Sequence, residues 1–346
     1  MNYTDMVSII MPTYNTDHEM LGQAIDSILA QSYSNFNLII IDDGSKNYDN
    51  YNYIIKNYSD DRITALRNES NIGVAKTLNL GLSIATGKYI FRMDADDIAY
   101  PKRLEKSIDY LEKNPEVVVL GSYAKLFGKK KGLLKLPVGN QAIRSEMVFN
   151  NPFCHPTVVF RKDFIQLNQI KYPEDASNED YNLWVSLSKN KNVVFANIPK
   201  PLLRYRIHDA QVTASKLSKL MEDTRIIIGR MLQIYNVDKY TQEQLDSYVK
   251  TIYSKEKVTK GEFKSMLYLF EEIISRNKLS QCTDGYYLET SLRKKSQNAY
   301  ANQVLRFHNK LVLSREIKMI GKKPRDIKSN IAFAIACVLV LFQHKR

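Results

Sequence analysis

This 346-residue chain predicts an α/β fold with a mostly parallel sheet, followed by a helical region. Three observations carry that prediction. Short apolar runs alternate with helical periodicities through the first half, the pattern of strands joined by crossover helices. Four of these runs end at polar loops, and open α/β sheets bind ligands beyond the carboxyl ends of their strands. Beyond Lys216 strand signals stop, and stretches such as "LMEDTRIIIGRMLQIY" and "KSMLYLFEEIISR" keep helical spacing alone.

"VSIIM", from Val7 to Met11, is the first strand and stops at Pro12. Asp17 is placed to cap the next helix, where Met20, Leu21, Ala24, Ile25, Ile28 and Leu29 keep a period near 3.6. "LIII", Leu38 to Ile41, is a second strand running into "DDGS", and "RITAL" around Ile63 a third. "GVAKTLNLGLSIA" sets Val74, Leu78, Leu82 and Ala85 on one helical face. "KYIFRM" is a strand leading to "DADD", "PKRLEKSIDYLEK" an amphipathic helix, and "VVVLGS" a further strand. From Asn140 to Ser215 the pattern is irregular, with "NPFCHPTVVFRK", "SNEDYNLWVSL" and "RYRIHDAQVTAS" standing out. The expected organisation is a first domain over 1–215, a helical region over 216–328 and a short apolar, basic tail over 329–346.

Apolar residues at 44% and charged residues at 25% are ordinary globular values. Cys154, Cys282 and Cys337 lie far apart with no CxxC pair, which argues against a disulfide scaffold or zinc knuckle and suits a reducing compartment. The amino terminus lacks a basic region, and its apolar run is too short for a signal peptide, so an intracellular protein is expected. The formal charge is +13, and from Arg293 to Arg346 thirteen Lys/Arg face only Glu316 and Asp326. That basic segment leads into "IAFAIACVLVLF", Ile331 to Phe342, which at 12 residues is too short to span a bilayer. It reads either as an anchor lying in an anionic membrane surface or as a packed terminal helix with a solvated basic face. A nucleic-acid partner is not expected, because no stacking platform or recognition motif accompanies the charge.

Asp94, Asp96 and Asp97 crowd three carboxylates into four positions at the end of a strand. Like charges this close raise each other's pKa unless something positive offsets them, so either water screens them or a cation belongs there. Asp97 also suits an N-cap for the helix near Pro101. In "SNEDYNLW", Glu179 and Asp180 follow Asn178, either as an ordinary helix start or as a pair able to take a proton. Trp184 falls four residues later, on the same helical face, as a core residue or a platform for a sugar ring. Arg204, Arg206 and His208 alternate, so a strand would point all three one way. Arginines can clamp a diphosphate, and His208 is either a metal or phosphate ligand or structural.

Together, "SIIMPTYN", "IIDDGS", "NIGVAKTLNLGLSIATGKYIFRMDADD", "NED" and "RYRIH" resemble glycosyltransferase family 2, inverting nucleotide-sugar transferases with a GT-A fold. The resemblance covers roughly residues 5 to 215 and is closest to transferases of bacterial capsule, exopolysaccharide and O-antigen assembly. It implies a nucleotide-sugar donor, a Mg²⁺ or Mn²⁺ cofactor and a lipid-linked oligosaccharide acceptor on the cytoplasmic membrane face. A departing diphosphate develops charge that a divalent cation neutralises, and such a cation takes one or two carboxylates plus phosphate oxygens. By resemblance Asp96 is the metal ligand with His208 beside it, Asp94 faces the ribose or a metal water, and Asp97 supports the loop. Asp43 is expected to accept the imide N–H of uracil, while Asp42, Gly44 and Ser45 shape the turn. Pro12 and Tyr14 line the base, and Asn71, Gly73 and Lys76 approach ribose and diphosphate, although Lys76 also suits a solvated helix. Arg206 contacts the donor, Asp180 is the base, Glu179 binds the acceptor, and His155 lies beneath the acceptor site.

A processive synthase would carry a Gln-x-x-Arg-Trp motif and several membrane spans, whereas the single tryptophan here is Trp184. A non-processive transferase is therefore expected. A scaffold that binds nucleotide sugars without catalysis is the alternative. A nucleotidyltransferase would show a glycine- and arginine-rich phosphate loop near the start, which "SIIMPTYNTDHEM" lacks. Oligomeric state, donor sugar and linkage have no signature in the chain.

Overall fold

The computed structural model of the chain describes residues 5–46, 49–175, 178–208, 217–254 and 256–307. It parts into two compact units, Met1–Leu220 and Met221–Arg346, where the sequence reading sets a boundary at 215. The apolar tail, Ile331 to Phe342, lies outside the described residues.

The first unit is built on a sheet whose strands, in chain order, are β1 (Val7–Thr13), β2 (Phe36–Asp42), β3 (Ile63–Arg67), β4 (Tyr89–Arg92), β5 (Ile98–Ala99), β6 (Val117–Gly128), β7 (Gly132–Leu134), β8 (Val159–Arg161) and β9 (Val194–Ile207). Their spatial order is β3-β2-β1-β4-β8-β6-β9-β5, with β7 hairpinned onto β6. The β3-β2-β1-β4 run is parallel throughout, as is the long β6–β9 ladder, so most paired positions are parallel. β8 runs antiparallel between β4 and β6, and β5 and β7 are short antiparallel additions. Sequence periodicity misses β5, β7 and β8, since two- and three-residue strands leave no alternation to read.

Both faces of the parallel run are covered, which is why its strands read as unbroken apolar stretches. Ile9, Met11, Leu38, Ile40 and Phe91 are fully buried in one cluster with Leu21, Ala24, Ile25 and Ile28 of α1 (His18–Leu29). Asp17 caps that helix as expected, its Oδ1 accepting from the Glu19 and Met20 amides at 3.0 and 3.2 Å. The third helix, Val74–Ile84, buries Leu78 and Leu82, but Val74 stands outside the apolar face at 39% exposure. A further helix, Arg103–Lys113, starts two residues after Pro101 with Lys102 at its N-cap and no side-chain capping bond. Asp97 therefore does not cap it.

The second unit contains, among the described residues, helix Leu217–Ile234 from Met221 onward and helices Gln242–Tyr253, Lys260–Ser280 and Gly285–Phe307. Reciprocal Thr–Gln and Thr–Glu capping boxes, Thr241 with Gln244 and Thr259 with Glu262, open the middle two. Its interior is apolar, with Ile227, Met231, Tyr248, Met266, Phe270 and Leu292 buried. No helix among the described residues is long and apolar enough to cross a membrane.

The fold brings the carboxyl ends of β1, β2 and β4 side by side, with Thr13 in register with Asp42 and Ile10 with Arg92. The loops leaving them interlock. Asn50 is fully buried; its Oδ1 accepts from Thr13 Oγ1, the Thr16 amide and Ser45 Oγ, and its Nδ2 donates to the Thr16 carbonyl. Gly44 has φ +70°, and a Cβ there would lie 2.5 Å from the Ser70 carbonyl carbon. Gly44→Ala should therefore destabilise by about 2 kcal/mol or more, left-handed strain adding to a backbone clash. Gly139→Ala, with ordinary φ and open space, should stay within about 0.5 kcal/mol of wild type in urea unfolding. Equal losses at both glycines would contradict the close approach.

Candidate active site

Asp94, Asp96 and Asp97 occupy the link between β4 and β5, at the carboxyl end of β4. One ligand atom from each lies within 4.8 Å of the other two. Their partners differ. Asp94 Oδ1 forms a 2.5 Å ion pair with Arg92 Nη1, and Arg92 itself is buried. Asp96 Oδ2 is 2.7 Å from His208 Nε2, and the Asp96 carbonyl accepts from Arg206 Nε at 2.6 Å. Asp97 is fully buried; its Oδ1 accepts from the Arg206 amide at 2.8 Å, while its Oδ2 has no hydrogen-bond partner.

Burial, then the neighbouring carboxylates, raises the pKa of Asp96 and pushes that of Asp97 well above its ordinary value. A second buried arginine sits close by. Arg103 donates from Nη2 to the Arg92 carbonyl at 2.5 Å and from Nη1 to Met93 Sδ at 3.0 Å. Burial brings its pKa down to about 10, opposed by the charge of Asp97.

The second acidic group opens helix Glu179–Ser188. Asp180 Oδ2 accepts from Asn151 Nδ2 at 2.6 Å and its Oδ1 from the Tyr181 amide at 2.7 Å. Burial raises both carboxyls, and the adjacent Asp180 charge helps push Glu179 from 4.5 up to about 8. Two like charges that share a desolvated site do not ionise together. Asp180 holds the donors, so it ionises first and Glu179 retains the proton. His155 stands behind the pair, its Nδ1 3.6 Å from Glu179 Oε1 and its Nε2 2.9 Å from the Tyr172 hydroxyl. Burial and the Arg92 charge depress its pKa well below the usual imidazole value, keeping it neutral.

Trp184, expected either in the core or against a sugar ring, is in the core. It is 0% exposed and packs on Phe153 and Phe160, with His155 at 6.2 Å between centroids, so it supports His155 and cannot stack on a ligand. Asp43 is also drawn inward, at 3% exposure. Its Oδ1 accepts from Asn68 Nδ2 and the Ile72 amide and its Oδ2 from the Gly73 amide, tying the Asn71–Gly73 loop to the end of β2. A carboxylate offers about four acceptor directions, so one remains on Oδ2. Asp42 is fully buried and shapes the turn, accepting from the Ser45 amide and hydroxyl and the Tyr51 amide. Tyr14, Asn71 and Lys76 are exposed at the rim, and Pro12 is half-buried. Arg204 and Arg206 both lie 4.5 Å from the Phe127 ring centroid, and Arg206 Nη2 also donates to Gln23 Oε1.

Arg92, Arg103, Tyr172, Asn151 and Asn50 escape motif reading. Arg92 carries one legible signal: an arginine inside the apolar run "KYIFRM" needs a buried partner, and the acids follow it directly.

The pKa of Glu179 has a consequence for stability. The folded chain holds that proton up to about 8, whereas the unfolded chain releases it near 4.5. The native state thus binds the extra proton across that window, and stability falls as pH rises through it. Asp96, Asp97 and Asp180 act in the same direction. Thermal melts should show wild type losing stability between about pH 5 and pH 8 more steeply than Glu179→Gln, and parallel profiles would contradict the assignment.

Comparison with known proteins matches residues 8–165 to the family described as Glycosyl transferase family 2. An uncharacterized glycosyltransferase of Haemophilus influenzae is 32% identical over 266 residues, 68% of this chain and 81% of that protein. The Escherichia coli UDP-Glc:alpha-D-GlcNAc-diphosphoundecaprenol beta-1,3-glucosyltransferase WfgD is 32% identical over 215 residues, 62% of this chain and 82% of its own. Among solved structures, S. aureus TarS 1-349 in complex with UDP-GlcNAc superimposes with a TM-score of 0.58 at 18% identity, covering 88% of this chain and 92% of TarS 1-349, a likeness of fold. The acidic loop at the carboxyl end of β4 and these similarities together make the chain a member of glycosyl transferase family 2 and a glycosyltransferase.

Proposed function

We propose that this glycosyltransferase is inverting, non-processive and metal-dependent, and moves a sugar from a UDP-sugar onto a lipid-linked oligosaccharide in bacterial surface-polysaccharide synthesis. The observation that carries the reading is the pairing of two acidic groups, Asp94–Asp97 and Glu179–Asp180, with Arg92 charged toward both. One group suits a cation and diphosphate, the other an acceptor hydroxyl. The lipid-linked acceptor is supported by the diphosphoundecaprenol substrate in the WfgD name.

The acidic loop fits a divalent cation, since three carboxylates converge and the buried Asp97 Oδ2 has no donor. Asp96 would hold it with His208 beside it, and Asp94 would face the ribose or a water on the cation. When bound, Mg²⁺ or Mn²⁺ supplies neutralisation of charge on the departing diphosphate. Arg206, hydrogen-bonded to the Asp96 carbonyl, fixes the loop from β9 and brings a guanidinium to the donor side. The remaining acceptor direction on Asp43 Oδ2 suits the imide N–H of uracil, with Pro12 and Tyr14 along the base and Asn71 and Lys76 toward ribose and diphosphate.

Inversion is one displacement at the anomeric carbon. The acceptor oxygen forms the new bond, the bond to the diphosphate breaks, and the hydroxyl proton passes to Asp180. Asn151 and the Tyr181 amide hold that carboxylate ionised and aimed. Glu179, still protonated, binds the acceptor, and neutral His155 lies beneath both. Peripheral contact with the inner face of the cell membrane, through the basic carboxyl-terminal segment, completes the reading.

Purified protein supplied with UDP-sugars and Mn²⁺ should hydrolyse or transfer at least one donor. Asp96→Ala should abolish the metal-dependent rate while leaving the melting temperature near wild type. Asp180→Asn should lower kcat by about 10²- to 10⁴-fold yet retain nucleotide binding, and unchanged turnover would remove it as base. The pH profile of kcat/KM should decline above about 8 as Glu179 loses its proton, and Glu179→Gln should lack that decline. Donor binding without any turnover would favour the non-catalytic scaffold.

A further inference from the structure

Between Glu116 and Glu146 the chain has no acidic residue, and within that stretch "KLFGKKKGLLKL" carries Lys125, Lys129, Lys130, Lys131 and Lys135. The stretch forms the β6–β7 hairpin, in which Lys125 lies opposite Leu133. Lys125, Lys130, Lys131 and Lys135 are exposed, and no ion pair engages these four among the described residues. One aliphatic side chain is exposed among them, Leu133 at 46%. Leu134 and Leu136 turn the other way and pack against the core, so the hairpin has a fixed inner side and a basic, apolar-studded outer one.

The outer side continues toward the acidic loop. Lys125 is in register with Arg204 of β9 and Phe127 with Arg206, and Arg206 Nε donates to the Asp96 carbonyl. A strip of cations thus runs from the hairpin across two strands to the residue that holds the acidic loop.

We propose that the β6–β7 hairpin is a docking surface for an anionic lipid bilayer, set beside the acidic loop through β9. Lysines attract the phosphate-rich surface, and Leu133 enters its interfacial layer. A nucleic acid would also answer the charge, but the exposed apolar group among the lysines is aliphatic, and the Phe127 ring has both guanidiniums against it. The inference extends the lipid-linked acceptor reading, since an enzyme docked this way meets its acceptor in the plane of the membrane.

The test is sedimentation of the full chain with phosphatidylcholine vesicles, with or without phosphatidylglycerol. Wild type should partition onto the anionic vesicles, and Lys130→Gln/Lys131→Gln/Lys135→Gln should lose about 100-fold, each lysine near such a surface contributing about a factor of five. Leu133→Ser should weaken the same binding at low and high salt alike, whereas the lysine variant should differ from wild type mainly at low salt. Equal partition of wild type and the lysine variant onto anionic vesicles overturns the assignment, and loss of oligonucleotide binding in that variant would then identify a nucleic acid as partner. Vesicle binding is read without donor or acceptor, so a failure of the transfer reaction would leave this result standing.

Discussion

The ion pair between Arg92 and Asp94 is the interaction on which the candidate site depends. Five carboxyl groups crowd the carboxyl end of β4 and the start of the Glu179 helix, and burial disfavours the charged form of most of them. Arg92 is the buried cation whose charge reaches both groups, lowering the burden on Asp97, Glu179 and Asp180 and adding to the burial that keeps His155 neutral. Breaking a buried pair costs far more than the pair gains over an apolar substitute, because one charge is stranded. An arginine at the last position of β4 therefore couples the integrity of the sheet to the ionisation of the site.

Around that pair the chain separates two tasks that look alike in sequence. Asp42 and Asp43 are neighbours, yet Asp42 is consumed by its own turn while Asp43 ties two loops and keeps a residual acceptor direction. Asp96 and Asp97 are likewise neighbours. One pairs with His208 near the surface, and the other is sealed beneath the Arg206 amide. The positive φ of Gly44 lets the chain after Asp43 pass close against the Ser70 and Asn71 backbone, within reach of the loop that Asp43 holds.

Much of this was legible in the residues. Apolar runs of three or four consecutive residues marked β1, β2 and β6, and 3.6-residue spacing marked α1, because those elements bury enough side chains to leave a trace. The acidic loop and the Glu179–Asp180 pair were visible as motifs. Tertiary decisions were not. Val74 fits the apolar spacing of its helix but lies at the first turn, outside the packed face. Trp184 shares a helical face with the acids in a linear reading, whereas the helix turns that residue wholly into the core beside Phe153 and Phe160. Arg103 bonds a backbone carbonyl 11 residues back and Asn50 a threonine 37 residues back, and no local pattern announces such contacts.

In the proposed reaction the Asp94–Asp97 loop binds a nucleotide diphosphate together with a divalent cation. Calorimetric titration of UDP into the purified chain, with and without Mn²⁺, tests it most directly. Mn²⁺ should tighten UDP binding by at least about tenfold in wild type and leave it unchanged in Asp96→Asn, which loses one charge-neutralising ligand. UDP binding of equal strength with and without Mn²⁺ in wild type would contradict it.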